Sequence, residues 1–537
     1  MRVLLRVWSA TGDLLLTDGS AVTLSDRVTG ETLRFSPGLR VDEAALLDSL
    51  AWLSDSPVPR SLSVTVLRSG GLSVEGVGEV SRIIDDGHDY ADRQIIARGD
   101  LRDVVADVHA WTATVVEDEA DDRGLLLDEL AVVDDTSWPR TAAQRAADGA
   151  PAYTGTSQAH DARIAGAHYP VAIGYPGIQG ITALGNVYDD SAIAGPGLLV
   201  EKSNAVAILA DYAVLVAAGR VEATHVRLIS TDSTGSAFGE RRPVALAHDG
   251  RGRPVSVVTP ATQPAEDAEV HVAWSQADGG GMSDPYGPGI LRRMDHVIRY
   301  ALDRSTLRIA RRELPRLGAL ASMQVDTVLT GQARPWEWLR SQVLPLLPVS
   351  VACGPDGLYL WPWVPALSTL DAELELAVGR SCERVDPWRR PDLPMVSRVT
   401  VAYGLDARGG NLVRRYTICG RRRPDDDPDE VGLDYWAARA RGLVGERESE
   451  IEAPIVCDAA TAQLVARNLV HASCRPQWLA TLHGVEVDDR LMPGAVVHVV
   501  DDEVGLDAVA QVEGVRYTGG ERAAVDVRTW AQQGPEV

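Results

Sequence analysis

Lysine and phenylalanine are almost absent from this chain of 537 residues. Lys202 is the only lysine, and Phe35 and Phe238 are the only phenylalanines. No Gly-x-x-x-x-Gly-Lys segment occurs, so the sequence carries no P-loop for nucleotide phosphates. Leucine, valine and the thirteen tryptophans must therefore fill the hydrophobic cores.

Cysteine is sparse as well, with five residues at Cys353, Cys382, Cys419, Cys457 and Cys474. None lies within four positions of another, so the sequence contains no local zinc finger and no Cys-x-x-Cys redox motif. The odd number and the lack of an export signal predict free, buried thiols. A metal cluster built from distant cysteines stays open as an alternative.

Long hydrophobic runs are missing too. The N-terminal stretch MRVLLRVWSATGD has too short an apolar run for a secretory signal and is typical of a first strand. The most apolar stretch, residues 205–219, is interrupted by Asp211 and is shorter than the roughly 20 residues that cross a bilayer. We therefore expect buried strands there, and neither export nor stable membrane insertion.

The net charge of −24 limits the partners. A phosphate backbone or an anionic membrane would be repelled by such a chain, so neither is expected as its main binding partner. The charge itself indicates a solvated acidic surface. The loop RRRPDDDPDE at 421–430 is also predicted to be solvated, with contact to a partner as the less favoured alternative.

Chemical motifs are absent from the sequence. It contains no His-Glu-x-x-His and no Gly-x-Ser-x-Gly, and the two histidines that come nearest to a ligand pair, His160 and His168, lack a defined metal spacing. Adjacent acids could serve as general acids or bases but are typical of turns, as at 85–86, 189–190 and 501–502. The sequence thus predicts no catalytic residue, no cofactor-binding residue, no cofactor and no metal ligand.

The segment 335–363 predicts a structural joint. Pro335 suits the first helical turn, and Trp336, Leu339, Val343 and Leu344 fall on one face, which predicts a buried stripe. Prolines then end the helix, and a strand pair turning through Gly-Pro-Asp-Gly at 354–357 follows.

Strand-like runs between turn signals dominate the rest of the chain. We predict a mainly β fold with α insertions, a multidomain α+β chain, divided as follows: an N-terminal β-domain at 1–135, a second β-rich domain with its connector at 136–275, a helical insert with a terminal hairpin at 276–365, and a C-terminal barrel-like β-domain with one helix at 366–537. Helical spacing predicts helices in 42–54 (DEAALLDSLAWLS), in 290–304, in 307–314 after a cap at Ser305 or Thr306, and in 459–474 with Asp458 as N-cap. Asp249-Gly250 is predicted to be a hairpin tip.

Two long stretches, 289–363 and 438–530, resemble the tail hub (baseplate hub) proteins of tailed bacteriophages and phage-derived particles. The C-terminal match consists of GERE at 445–448, Asp458 with Thr461-Ala462, PGAVV at 493–497, VGL at 504–506 and VRY at 515–517. YPVAIGYPG at 169–177 fits more loosely. Ala495 stands where the family pattern has an acid, and Leu443 and Val444 stand where it has an aromatic residue.

The resemblance implies tail-tube-like β-barrels duplicated within one chain, plus a small helical insert. It implies a homotrimer in the virion tail, assembled in the host cytoplasm, that joins the tail tube to the tail tip and forms part of the DNA channel. The implied partners are the tail tube and distal tail protein, tail tip or fibre proteins and the tape measure protein, with DNA only in passage. No enzymatic activity is expected.

Two alternatives stay open. One is another distal-tail or tail-tip component. The other is a carbohydrate-active or cell-wall-degrading enzyme, because β-rich chains with many tryptophans often bind sugars. Sugar-binding tryptophans lie exposed in a groove, whereas structural tryptophans are buried, so their exposure distinguishes these classes.

Overall fold

β-Sheets, largely antiparallel, form most of the computed structural model, which confirms the mainly β fold class with α insertions. The structure describes residues 2–8, 13–40, 44–47, 61–67, 77–83, 89–106, 110–116, 124–132, 168–176, 195–196, 198–201, 212–231, 237–249, 251–258, 261, 269–274, 276–306, 318, 322–347, 349–354, 357–362, 372–390, 395–406, 411–486, 488, 490–491, 494–519 and 522–530. The division into four domains stays a prediction.

The N-terminal strands form a nine-stranded sheet with the order β3-β4-β2-β1-β8-β9-β10-β7-β5. Its strands are β1 (Arg2–Trp8), β2 (Leu14–Thr17), β3 (Val22–Ser25), β4 (Thr32–Pro37), β5 (Leu39–Arg40), β7 (Ser61–Leu67), β8 (Val77–Ile83), β9 (Gln94–Ala106) and β10 (Ala110–Val116). A further strand, β6 (Ala44–Leu47), pairs elsewhere.

This sheet closes on itself at Gly38. The Gly38 N–H donates to the Thr17 carbonyl at 3.2 Å, and the Leu67 N–H donates to the Gly38 carbonyl at 2.8 Å. One continuous stretch, β4–Gly38–β5, therefore pairs with β2 on one side and with β7 on the other. The φ of Gly38 is +140°, a conformation that residues with a Cβ rarely adopt. We call the closed sheet the N-terminal barrel.

A second sheet, the middle barrel, has the order β12-β18-β15-β16-β17-β14-β13. Its strands are β12 (Gly195–Pro196), β13 (Leu198–Glu201), β14 (Tyr212–Ala218), β15 (His225–Thr231), β16 (Ala237–His248), β17 (Pro254–Val258) and β18 (Glu269–Ala273). The two end strands, β12 and β13, are separated in sequence by one residue, so this sheet also ends where it begins. The predicted hairpin at 249–250 joins β16 to β17, and β14 confirms a buried strand in 205–219.

The third large sheet, the C-terminal barrel, has the order β22-β29-β30-β31-β28-β23. Its strands are β22 (Leu374–Ala377), β23 (Arg384–Val385), β28 (Trp478–Glu486), β29 (Val496–Asp501), β30 (Leu506–Gly519) and β31 (Arg522–Thr529). The end strands β22 and β23 are again consecutive, joined by a turn in which the Gly379 N–H donates to the Cys382 carbonyl at 2.8 Å.

The N-terminal and C-terminal barrels share one strand order. In each barrel, two consecutive strands close the sheet: β4 and β5 in the N-terminal barrel, and β22 and β23 in the C-terminal barrel. The next strand along the sheet then pairs with the last strand of the barrel, β7 with β10 and β28 with β31. The order then runs back through β9 and β8, or through β30 and β29. Each closing strand makes one parallel pair, β4 with β2 and β22 with β29. The N-terminal barrel differs by the β1–β2 hairpin inserted before the parallel pair. The chain thus contains a structural repeat, whereas no sequence repeat is evident.

Helices and a smaller sheet lie in the remaining regions. The helices are α1 (Met294–Leu302), α2 (Pro335–Trp338, continued by a π-turn over Leu339–Val343 and a 3-10 turn over Leu344–Leu346), α3 (Tyr435–Val444) and α4 (Ala459–Ser473). The small sheet, ordered β26-β25-β24-β27, consists of β24 (Arg398–Asp406), β25 (Asn411–Cys419), β26 (Val431–Leu433) and β27 (Glu448–Ala453). Two strand pairs complete the fold: β11 (Val171–Ile173) with β19 (Thr327–Leu329), and β20 (Val349–Gly354) with β21 (Gly357–Pro362).

One predicted helix is wrong where the structure describes it. Ala44–Leu47 form the strand β6, which pairs with β30, because an unpaired strand edge offers hydrogen-bond partners that outweigh local helix preference. The rest of that predicted helix, 42–43 and 48–54, and the predicted helix at 307–314 lie outside the described residues. The helix predicted in 290–304 begins later than expected, at Met294. The Asp458 cap is confirmed, since its side chain accepts from the Thr461 N–H at 2.9 Å.

Candidate functional site at the junction between the barrels

Strand β6 connects the two barrels that share a strand order. It leaves the N-terminal barrel after β5 and pairs antiparallel with β30 of the C-terminal barrel, with Leu47 opposite Val515, Ala45 opposite Arg516 and Ala44 opposite Tyr517. This edge of β30 lies beyond the end of β29, which pairs only as far as Gln511. A strand from one barrel therefore extends the sheet of the other.

The two barrels also share one hydrophobic core. A single cluster of buried apolar side chains runs through both, and its members include Leu5, Val64, Val80 and Trp111 from the first barrel and Leu482, Val497, Val512 and Val525 from the second. Seven of these eight side chains are fully buried, and burial of this kind stabilises by roughly 25 cal/mol per Å² of apolar surface. The barrels are thus packed as one body and not merely tethered.

The segment 335–363, predicted to be a structural joint, is packed into a hydrophobic core through its helix α2. Trp336, Leu339, Val343 and Leu344 are all buried, as their spacing predicts. They belong to a cluster that also contains buried side chains of α1, the small sheet and α4. The predicted hairpin after α2 forms as β20 and β21, with Gly354 opposite Gly357.

A buried ion pair lies beside the cluster around α2, to which the neighbouring residues Leu291 and Val325 belong. The Arg292 guanidinium donates to Asp326 through Nε to Oδ1 at 2.6 Å and through Nη2 to Oδ2 at 2.8 Å. Asp326 Oδ1 also accepts from the Tyr175 N–H at 2.8 Å, and the Asp326 N–H donates to the Ile455 carbonyl at 2.9 Å. Through its carboxylate and its backbone N–H, Asp326 thereby connects its own segment with three others that are far apart in sequence. Nothing in the spacing of these residues signals the contact, so the sequence did not predict it.

Gly174 allows these segments to meet. Its φ is +70°, and a Cβ at this position would lie 2.2 Å from the Val325 carbonyl oxygen and 2.3 Å from Asp326 Oδ1. No side chain fits at those distances, so the backbone of this segment approaches the ion pair only because the residue is glycine.

The acidic loop 421–430 is mostly exposed, as predicted, but it is anchored at one residue. Asp426 accepts from Arg398 Nη2 at 2.5 Å and from the Arg423 N–H at 2.7 Å. The side chains of Arg398 and Asp426 are only 7% and 9% exposed. The hydrogen bonds from Arg398 lower the pKa of Asp426 below its ordinary value. The loop is therefore held against the small sheet.

The thiols that the structure describes match their prediction. Cys382, Cys419, Cys457 and Cys474 are free and buried. Burial raises the pKa of Cys382 to about 11 and that of Cys474 to about 12, so both thiols stay protonated and inert at neutral pH.

The other residues considered for chemistry are not brought together into a site. Asp501 is buried and accepts from Trp388 Nε1 at 3.0 Å, which is a structural role. His160, the side chain of Cys353 and the acid pairs at 85–86 and 189–190 lie outside the described residues. Within the described ranges no three His, Cys, Asp or Glu side chains are grouped to hold a metal ion.

No tryptophan with a described side chain is exposed. Of the thirteen in the chain, five are buried (Trp111, Trp274, Trp336, Trp338 and Trp530) and four are half-buried (Trp8, Trp388, Trp436 and Trp478). Several of the half-buried rings lie under arginines, for example Trp8 with Arg98 at 4.8 Å from the ring centroid. Across the described helices, none is both long and apolar enough to cross a bilayer.

Known proteins resemble the chain only at the level of solved structures, because no family model and no curated protein matches. The tail protein from Neisseria meningitidis MC58 is 12% identical with a TM-score of 0.34, over 96% of this chain and 99% of that one. The prophage tail protein gp18 from Listeria monocytogenes EGD-e is 9% identical with a TM-score of 0.32, over 95% and 94%. A chain of the virion of a native gene transfer agent particle is 13% identical with a TM-score of 0.34, over 68% and 85%. The structural neighbours are thus components of phage-type tails and virions, but TM-scores this low carry no argument about role.

Proposed function

We propose that the protein is a structural component of a phage-type tail, namely the trimeric hub that joins the tail tube to the tail tip or baseplate. The observation that carries this proposal is the structural repeat: two barrels of one strand order, packed together in one chain. Three copies would present six such barrels, which suits a hexameric tube above, and would keep threefold symmetry towards the tip below. The sequence resemblance to tail hub proteins supports the same role.

The charge of the chain fits a channel for DNA. With a net charge of −24, the ring repels the phosphate backbone, so DNA would pass through the opening without adhering. The partners of the proposed hub are the tail tube and distal tail protein, the tip or fibre proteins and the tape measure protein. Its place is the virion tail, after assembly in the host cytoplasm.

The burial of the tryptophans favours this role over a sugar-binding enzyme. Aromatic platforms for sugars lie exposed in a groove, whereas Trp274 and Trp336 are 1% and 9% exposed. These rings stabilise cores, which is what an assembly protein requires of them.

Native mass measurement followed by class averages from electron microscopy tests the proposal. We expect three copies arranged as a threefold ring with a central opening. A particle of one copy with a groove would overturn the trimeric hub. Incubation with purified cell wall should give no degradation, and release of wall fragments would favour the enzyme alternative.

A further inference from the structure

The outer face of helix α3 is exposed and largely apolar. Tyr435 and Leu443 are 67% and 55% exposed, and Leu433, just before the helix, is 63% exposed. Tyr435, Arg439 and Leu443 follow one another at intervals of four residues, so they lie in one row along the helix. Residues 411–486 are described without a gap, so no undescribed segment adjoins α3 in the chain. We call this row, together with Leu433, the α3 face.

Nothing inside the described chain explains why residue 442, on the same side of α3, is glycine. A glycine within a helix is less favourable than an alanine, and the backbone of Gly442 is helical. A Cβ at this position would meet nothing within 4 Å, so packing within the chain does not require its absence either. Ala438, four residues earlier, is also small and exposed. Glycine permits another backbone to approach closely, so Gly442 indicates contact with a second molecule.

The surface that α3 and α4 form is basic, although the protein is acidic. Residues 435–445 and 459–477 contain four arginines and no Asp or Glu, whereas about one residue in seven of the whole chain is acidic. Two of these arginines lie against one ring, since Arg475 and Arg439 are 4.6 and 5.7 Å from the ring centroid of Trp436. The surface therefore combines apolar, aromatic and arginine side chains, the composition typical of the centre of a protein–protein interface.

The acids beside α3 do not neutralise this surface. Asp434 caps the helix with its side chain, and Glu446 pairs with Arg423 at 2.7 Å. Among the residues that the structure describes, no acid forms an ion pair with Arg441 or Arg467. A partner that fits this surface therefore carries carboxylates as well as apolar groups.

A second copy of this chain has the complementary charge. Its net charge is −24, so carboxylates outnumber basic groups on its surface. Two such copies repel each other over most of their surfaces, whereas a basic, apolar patch on one attracts the acidic surface of the other. We propose that the α3 face forms part of the contact between copies, where it packs against the acidic surface of a second copy of this chain.

The backbone of the second copy approaches α3 at Gly442. One helix face is smaller than the roughly 800 Å² that each partner buries in a stable interface, so other contacts complete the assembly. Loss of the α3 face should therefore weaken the association without abolishing it. This inference rests on the proposed trimer and specifies one part of its interface.

The variant Gly442→Gln separates the contact from the fold. Glutamine forms helices better than glycine, and its Cβ meets nothing in this chain, so the dilute single copy should melt at the wild-type temperature or above it. The added side chain projects into the contact, so association should be at least about tenfold weaker when native mass is measured against concentration. A variant that is equally stable and associates as tightly as the wild type would overturn the proposal.

A second variant removes the apolar part of the α3 face. Tyr435→Ser/Leu443→Ser should weaken association by at least about tenfold. The control Val28→Ser/Leu246→Ser removes two other exposed apolar side chains, which are 80% and 49% exposed, and should associate like the wild type. Equal weakening in both double variants would overturn the proposal, because exposed apolar surface in general would then drive association.

The charge of the neighbouring surface is tested at Arg439. Arg439→Gln and Arg439→Glu both lose the contact with Trp436, so the difference between them reports the charge that faces this position. Arg439→Glu should associate more weakly than Arg439→Gln, and equal association of the two would overturn an acidic neighbour. If the wild type stays a single copy at every concentration, the trimeric hub is overturned and this inference with it. If three copies form and all the α3 variants assemble normally, the hub stands and only this interface is overturned.

Discussion

Arg292 and Asp326 form a bidentate ion pair inside the protein, with N–O distances of 2.6 and 2.8 Å and side chains 10% and 0% exposed. Removing one partner of such a pair leaves the other charge buried without compensation. We therefore expect Asp326→Ala to lower the free energy of unfolding by about 3–5 kcal/mol. Urea unfolding followed by tryptophan fluorescence measures the change.

A neighbouring ion pair provides the control for this prediction. Arg293 and Asp295 approach to 2.8 Å, but the arginine is 48% exposed. Solvent screens such a pair, so Asp295→Ala should cost about 1 kcal/mol or less. If Asp295→Ala and Asp326→Ala lowered the free energy of unfolding equally, burial would not determine how much an ion pair contributes to stability.

The Trp336 side chain should be essential to the joint around α2. It is buried in the cluster that connects α1, the small sheet and α4. Replacement with alanine leaves a large cavity, and we expect Trp336→Ala to lower the free energy of unfolding by about 3–5 kcal/mol. The control is Glu337→Gln on the exposed side of the same helix, which should change stability by roughly 0.5 kcal/mol at most. Equal stability of the wild type and Trp336→Ala would remove the argument for a packed joint.

Two glycines should respond in opposite directions to alanine. Gly38 closes the N-terminal barrel with a φ of +140°, so Gly38→Ala should destabilise by about 1–3 kcal/mol through backbone strain. Gly442 lies inside α3, and a Cβ there would meet nothing within 4 Å. Gly442→Ala should therefore stabilise by up to about 1 kcal/mol, because alanine restricts the unfolded chain. Melting temperatures of the two variants test the contrast, and a shift in the same direction for both would contradict it.

The sequence predicted those parts of the fold that depend on local signals. The stripe from Trp336 to Leu344, the Asp458 cap and the turn at Asp249 follow from side-chain spacing and turn chemistry, which neighbours in the chain determine. Helix α3 carries such signals too, with Asp434 as its N-cap and Gly445 at its end with a φ of +76°, but the sequence interpretation overlooked them.

Long-range contacts could not be predicted in this way. The β6 segment has helical spacing, yet it forms a strand because the edge of β30, about 470 positions away, offers hydrogen bonds. The partner of Arg292 is 34 positions distant, and that of Asp426 is 28, with no periodic pattern connecting them. The repeated barrels share a strand order but no evident sequence repeat, so the duplication was indicated only by the resemblance to tail hub proteins and not by any local signal.

The buried thiols should make the protein less stable at high pH. An unfolded thiol ionises near pH 9.0, whereas burial raises the pKa of Cys474 to about 12, so the folded state keeps a proton that the unfolded state has lost. Stability should thus fall as the pH rises from about 9 towards 12. Cys474→Ala should show a smaller decrease in melting temperature between pH 8 and pH 10 than the wild type. If all of these thiols reacted rapidly with a thiol reagent in the native protein at pH 8, that result would contradict their burial.

Low pH should instead release the acidic loop through Asp426. Its pKa in the folded state is lowered, chiefly by the hydrogen bonds from Arg398, below the ordinary value of 3.8. The stabilisation from this pair is therefore complete above about pH 4 and is lost as the pH falls through the lowered pKa. Asp426→Asn should be less stable than the wild type at pH 7, and the difference should shrink below pH 4. The control is Asp425→Asn, which changes an exposed side chain of the same loop and should be as stable as the wild type at every pH. If Asp425→Asn lost as much stability as Asp426→Asn, the charge of the loop, and not the contact with Arg398, would determine the pH dependence.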